Sequence, residues 1–496
     1  MNILENISIE NLENSPGNTL LNKLYYIKKD VFSDNDRIIF SCFSEVSTQT
    51  LHHIEWCCYY LDIPFFFVIC NTNQIAVKEF FAQIDKDITL IEDKSIVPPL
   101  NNKSSAKPIF YNDSLCTHPW SGFHVYPDGS TSVCCEFEGK IGEYNIKKDS
   151  FEDILHSPEM SEIRKTFRDQ GTPKQCNSCV KKEKQGFKSK RNLVVHKHKN
   201  ILKDIDFESE GKLLFLGGHL GNLCNLKCRI CSSMYSSSIA AEDVKFGTQS
   251  EKTKAMLYLK ENVWTSKKNN IWQHIKKHTS LSNFEILGGE TLLQRENLDY
   301  IQWLIDNNKS KDCIFEIVTN GTTIPDALKN QSHKFFHFNI TVSIDNILDR
   351  FELERHGAKW DDVNKNIDML LSLSNCSVSI NITISLLNVY YLPEILDWLK
   401  EKNIDDDHCH LNVLTYPSFM SIYSLRESFK ISVIEKLKQY NDNKITPILK
   451  IVEAASLNDG MDFVKYMKNK DSIRREDFAL SHPEVARCYY EQENEK

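Results

Sequence analysis

The absences in this 496-residue sequence narrow it first. No apolar run reaches membrane-spanning length; the longest, Ile63-Pro-Phe-Phe-Phe-Val-Ile-Cys, is one strand's worth, so no membrane partner is expected. The start, Met-Asn-Ile-Leu-Glu-Asn, has neither a basic segment nor a signal-peptide core, and a cytoplasmic location is expected from that. Positive charge is not in excess: Lys and Arg total 60 against 68 Asp and Glu, and the net charge of −8 gives no field that would draw nucleic acid. Internal repeats and long low-complexity tracts are also missing. Cysteine is not scarce. Sixteen in a chain without export signals point to metal binding before disulfides.

Three of them, Cys224, Cys228 and Cys231, lie in Leu220-Gly-Asn-Leu-Cys-Asn-Leu-Lys-Cys-Arg-Ile-Cys, on a loop that follows the apolar run Leu213-Leu-Phe-Leu. Three thiolates at C-x3-C-x2-C spacing suit three irons of a [4Fe-4S] cubane. No fourth cysteine follows nearby, which leaves one iron open to bind a substrate. Zinc sites favour C-x2-C pairs and four ligands, a poorer match. The spacing resembles the signature of the radical S-adenosylmethionine (SAM) enzymes. In that family the open iron chelates the amino and carboxylate groups of SAM.

The length implies about two to four domains. Residues 1–105 read as a small α/β domain, with strands at Arg37–Phe43, Phe65–Cys70 and Ile88–Ile91 and helices at Thr48–Tyr60 and Ile75–Ile84. It carries no glycine-rich phosphate loop, and its His52-His53 and Cys57-Cys58 pairs fall on a helix facing a core. Residues 106–205 are punctuated by cysteine and turns, and end in a basic stretch from Lys181 to Lys203. Residues 211–420 repeat a strand-then-helix rhythm. Strands are expected at Leu213–Gly217, Phe284–Leu287, Ile314–Thr319, Phe338–Ile344, Val378–Ile384 and His410–Leu414. Helices are expected at Leu298–Asp306, Asp361–Ser372 and Leu392–Glu401. Such a rhythm makes an open, partial barrel or a doubly wound sheet, and either places chemistry at the C-terminal ends of the strands. The family resemblance implies the partial (β/α)6 barrel. Residues 421–496 read as mostly helical, a cap on the barrel by default.

The second of these strands ends in Leu287-Gly-Gly-Glu-Thr. Two glycines let a ligand approach the backbone, and a carboxylate beside them receives an ammonium. The segment resembles the family's Gly-Gly-Glu motif, which implies that Gly288, Gly289 and Glu290 hold the amino group of SAM. Val318-Thr-Asn-Gly-Thr and Ser343-Ile-Asp end the third and fourth strands. Thr319, Asn320, Ser343 and Asp345 look like the family's other SAM-contacting positions; the alternative is ordinary turn chemistry. Arg355 suits either a carboxylate or a surface ion pair. Ile230 stands where the family often has an aromatic residue.

A second cysteine set precedes the barrel. Cys116 begins Cys-Thr-His-Pro-Trp, Gly129 and Cys134-Cys135 follow, and Pro173-Lys-Gln-Cys-Asn-Ser-Cys adds Cys176 and Cys179. Four thiolates from two separated pieces close one cluster completely, and a zinc knuckle has the same count. The pattern C-x12-G-x4-C with C-x2-C resembles the auxiliary-cluster modules called SPASM and twitch, which usually follow the barrel. Glu183, Gly186, Ser189 and Arg191 continue a twitch-like pattern. The resemblance implies an auxiliary [4Fe-4S] cluster on Cys116, Cys134, Cys176 and Cys179, with Cys135 competing with Cys134 for the second place.

The chemistry implied by these resemblances is reductive cleavage of SAM to a 5′-deoxyadenosyl radical, which abstracts a hydrogen atom. An electron donor such as flavodoxin or ferredoxin is expected. A peptide or protein is the leading substrate class. A small anionic metabolite such as a sugar or nucleotide is the alternative, and a non-catalytic iron–sulfur sensor is the alternative of another class.

Overall fold

In the computed structural model the described residues are 116–169, 171–187, 189–197, 205–261, 271–373, 376–405 and 408–490, with four strands of the N-terminal region. Two compact units form. One comprises Met1–Thr117, Ser161–Asn177 and Lys190–Glu210; the other comprises His118–Met160, Ser178–Ser189 and Gly211–Lys496.

In the first unit, β1 (Asn2–Ser8), β2 (Asp36–Cys42), β3 (Phe65–Ile69) and β4 (Leu90–Ile91) form a four-stranded parallel sheet in sequential order. β2 to β4 fall on the three expected strands, and β1 is additional. The expected helices at Thr48–Tyr60 and Ile75–Ile84, with His52-His53 and Cys57-Cys58, lie outside the described residues.

The second unit is built on an eight-stranded sheet. Its strands are β5 (Gly122–Val125), β6 (Thr131–Ser132), β7 (Phe215–His219), β8 (Asn283–Leu287), β9 (Ile314–Thr319), β10 (His337–Ser343), β11 (Cys376–Ile384) and β12 (Cys409–Val413). The spatial order is β12-β11-β10-β9-β8-β7-β5-β6. Every pairing is parallel except β5 with β6. All six strands expected over 211–420 are present within about two residues, the usual uncertainty of a strand end. Their order never reverses, so the sheet is singly wound; the doubly wound alternative needs a switch point. Helices α1 (Ser237–Phe246), α2 (Arg295–Asp306), α3 (Leu348–Glu354), α4 (Trp360–Leu371) and α5 (Leu392–Glu401) lie in the connections. After β12 come α6 (Glu427–Lys438), α7 (Ile445–Ala454), α8 (Met461–Arg474) and α9 (Pro483–Tyr490).

The two faces of this sheet differ. One carries Phe284, Ile286, Phe315, Ile317, Phe338, Ile340, Val342, Ile380 and Ile382, all buried. An aromatic seam fastens α2 to this face: Tyr300 meets Phe284 at 5.4 Å, Phe284 meets Phe315 at 5.4 Å, and Phe315 meets Phe338 at 5.7 Å between ring centroids. On the other face Glu285, Glu316, Asn339 and Ser377 stand side by side in register, with Thr341 beside Ser379, Ser343 beside Asn381 and Thr383 beside Asn412. Parallel strands covered by helices on both sides run continuously apolar. β10 and β11 alternate instead, because one of their faces looks onto a polar space.

Phe315→Ala is expected to destabilise the second unit by about 3–5 kcal/mol. Thr341→Val, on the polar face, should stay within about 0.5 kcal/mol. Denaturant unfolding of the two variants checks the difference, and equal losses would contradict the assignment of faces.

Candidate functional site

The cysteine loop leaves the C-terminal end of β7 and is fixed at both ends by backbone bonds. Leu220 N donates to Leu287 O (3.2 Å), tying the loop to the next strand, and Ser237 N donates to Asn222 O (2.7 Å). Ser237 Oγ accepts from Cys224 N (3.1 Å), and Ser238 Oγ donates to Cys224 O (2.7 Å). Ser236 caps α1 through Ile239 N and donates its hydroxyl to Leu226 O (2.7 Å). The loop's middle forms a two-residue antiparallel ladder, Cys228 opposite Arg355 and Lys227 opposite His356.

The three thiols share this loop. Burial pushes the Cys228 thiol far up and the Cys231 thiol up to about 11, and the neighbouring thiols add to both. Cys224 is raised by burial too, against a backbone hydrogen bond from Leu226 N (3.5 Å). Without metal they are neutral thiols that must lose protons on binding it. The Arg355 guanidinium is buried beside them, with Nη1 3.9 Å from Cys228 Sγ and Nη2 2.9 Å from Asp345 Oδ2. Burial works against its charge, and Asp345 and Cys228 outweigh that. Arg355 is therefore no surface ion pair. Among the described residues no group of three or more His, Cys, Asp or Glu side chains is arranged to hold a single metal ion.

Gly288 and Gly289 pack against this loop. Both have positive φ, +89° and +55°. A Cβ on Gly289 would stand 2.3 Å from Leu223 O, and one on Gly288 would stand 2.7 Å from the His219 Cβ. The residues that come closest to these glycines are His219 and the backbone of the cysteine loop at Gly221 and Leu223. Glu290 follows, fully buried. Its Oε1 accepts from Thr319 Oγ1 (2.7 Å) and Leu292 N (3.0 Å), and its Oε2 accepts from Asn320 N (2.6 Å). Burial raises its pKa against those three donors. Asn320 in turn donates from Nδ2 to Asn225 Oδ1 (2.9 Å), inside the cysteine loop. Glu290, Thr319 and Asn320 thus form one network with the loop. Asp345 sits apart from it: Oδ1 accepts from Thr383 N (3.0 Å), and Oδ2 is the partner of Arg355. Ser343, at the end of β10, is half-buried on the polar face of the sheet.

Of the second cysteine set, Cys134 and Cys179 belong to the larger unit and Cys116 and Cys176 to the other. Cys134 is buried, and its carbonyl accepts from Ser132 Oγ (2.8 Å); Cys135 beside it is half-buried. Cys179 is buried on the helix Asn177–Lys184. In the basic stretch, Lys182 pairs with Glu136 at 2.6 Å and Lys181 with Glu138 at 3.8 Å.

Residues 116–180 match the SPASM family, described as an iron–sulfur cluster-binding domain. The chain therefore carries a SPASM-type iron–sulfur segment. No curated protein matches the chain by sequence. Among solved structures, it is similar to anSMEcpe with bound AdoMet, at 16% identity and a TM-score of 0.33 over 46% of this chain and 60% of that one. It is also similar to Streptococcus suis SuiB bound to precursor peptide SuiA, at 15% identity and a TM-score of 0.27 over 50% and 51%. The chain thus spans about half to three fifths of these structures.

Sequence reasoning missed the burial of Arg355 against Cys228 and the part played by Asn225. No local signal marks either, because both depend on segments that are more than ninety residues away in sequence.

Gly289→Ala is expected to cost about 1–3 kcal/mol, since its Cβ has to displace backbone. A thermal melt of the metal-free protein checks this, and an unchanged midpoint would mean that the glycine is not needed for packing.

Proposed function

We propose that this protein is a radical SAM enzyme on a partial (β/α)6 barrel, with a SPASM-type module ahead of it, and that it modifies a peptide or protein. One observation carries the reading. The C-x3-C-x2-C loop at the end of β7 is fastened to Gly288–Glu290 at the end of β8, in a chain that also carries a SPASM segment.

Cys224, Cys228 and Cys231 hold a [4Fe-4S] cluster in this reading. A cubane offers a separate iron to each thiolate, so its ligands need not converge on one point. The donor set suits it: three half-buried soft thiols and one buried guanidinium to offset their charge. A cluster held there would supply one-electron reduction of bound SAM, the chemistry from which hydrogen abstraction from the substrate would start. The chain's own residues bind and orient. A carboxylate offers about four acceptor directions, and Glu290 spends three within the protein. The fourth is left for the ammonium of SAM. Gly288, Gly289, Thr319, Asn320, Ser343 and Asp345 complete the SAM-binding surface, with Asp345 acting through Arg355. Cys116, Cys134, Cys176 and Cys179 hold the auxiliary [4Fe-4S] cluster. A flavodoxin- or ferredoxin-like donor supplies the electron in the cytoplasm.

Charge favours the peptide reading over the anionic metabolite. Lys181 and Lys182 are matched by Glu138 and Glu136, so the basic stretch offers less free charge than its sequence suggests. A sensor without turnover has no need of an acceptor placed for the amine of SAM.

The test is anaerobic reconstitution with iron and sulfide, addition of SAM and a strong reductant, and quantification of 5′-deoxyadenosine. Production that vanishes in Cys228→Ala supports the proposal, and production that persists there overturns the cluster assignment. Cys176→Ala should lower the iron content by one cluster; loss of zinc with unchanged iron would make the second site structural.

A further inference from the structure

Cys228, the middle cysteine, stands between two cationic residues that both run to the C-terminal region. Arg229 is fully buried. Its Nη2 is 2.6 Å from Asp471 Oδ1 and 2.6 Å from Glu476 Oε2, and its Nη1 is 3.6 Å from Met467 Sδ. Its backbone is held as well: Arg229 N donates to Glu354 O (2.7 Å), and Tyr466 Oη donates to Arg229 O (2.7 Å). Glu476 also takes His356 Nδ1, from the residue opposite Lys227 in the ladder. Lys227 reaches Glu242 on α1 (3.4 Å), and Glu242 takes Lys470 (2.7 Å) and Arg474 (2.9 Å) from α8. Each residue flanking Cys228 is thus tied by charge to α8 or to the acid that α8 holds.

From this geometry we propose that α8 and Glu476 are a positioning element of the cluster site: they fix the backbone around Cys228 so that its thiolate points to iron. The proposal rests on the reading of Cys224, Cys228 and Cys231 as ligands. The physical reason is that a buried guanidinium cannot leave its carboxylates without exposing uncompensated charge. The loop therefore has one favoured conformation while α8 is docked. Asp471 also accepts from Phe478 N (3.0 Å), so the same carboxylate orders the turn after α8 and couples the loop to the segment beyond it.

The experiment uses the full chain carrying Asp471→Asn with Glu476→Gln, which remove both charges at nearly constant shape. Iron and sulfide per chain and the electron paramagnetic resonance spectrum of the reduced protein with and without SAM are compared with wild type, and circular dichroism reports the fold. The expected result is a folded protein that loses the SAM-responsive signal and the iron of one cluster and keeps the rest. Arg229→Lys preserves the charge but not the two-pronged geometry, and carries the test if the double variant does not fold. It should keep part of the iron, with an altered SAM-responsive spectrum. Wild-type iron and an unchanged SAM-responsive spectrum in a folded variant overturn the proposal alone. A wild-type protein with no SAM-responsive cluster overturns the ligand reading, and this proposal with it.

Discussion

Arg229 and Arg355 are both buried beside the backbone that carries Cys228, and neither keeps its charge out of water without an acid against it. Asp345 answers Arg355; Asp471 and Glu476 answer Arg229. Those three acids come from the end of β10 and from the C-terminal region, so two distant stretches of chain must be in place before the cysteine loop has a stable conformation. Glu354, one residue before Arg355, is buried too. Its pKa is pushed up to about 7 chiefly by burial, and it accepts from Asn346 and meets His482, the residue before α9, at 3.0 Å. The C-terminal residues are thus more than a cap. They supply the counter-charges of Arg229, without which that arginine would pull the loop toward solvent.

The sheet divides the work. Its apolar face makes the aromatic core that fixes the strands, and its polar face makes the surface onto which the loop and the Gly288–Glu290 turn open. The same alternation that marks β10 and β11 serves both ends. Phe338, Ile340 and Val342 anchor the strand, while Asn339, Thr341 and Ser343 are left for the interior. A sheet with helices on both faces would have no such surface.

Much of this was legible from local pattern. The six strands of the main sheet, Cys224, Cys228 and Cys231 on the first loop, and Gly288–Glu290 on the second follow from apolar runs, turn residues and spacing. The partners of the loop were not legible, because a buried ion pair leaves no local trace. Arg229 reads like any surface arginine until Asp471 is folded against it. Asp345 is alike: a small acid at a strand end suits a polar contact, and nothing local says that Arg355 and Thr383 N are its partners. The glycine pair reads as a place of close backbone approach, and nothing local says that Leu223 of the cysteine loop is one of the segments that approaches. In each case the residue type was recognised and its partner was not.

The cysteine-rich segment that precedes β7 also contributes to the main sheet. β5, within the matched residues 116–180, lies parallel to β7 and is the strand beside the one that carries the cysteine loop. The approach is close: a Cβ on Gly122 would stand 1.8 Å from Phe215 O, which leaves glycine as the residue that lets β5 enter there. β6 then turns back antiparallel for two residues and ends the ladder, a short edge that gives a foreign strand little to pair with. β5 thereby covers the edge of β7 that β8 leaves open, so the strand that launches the cysteine loop is paired on both sides.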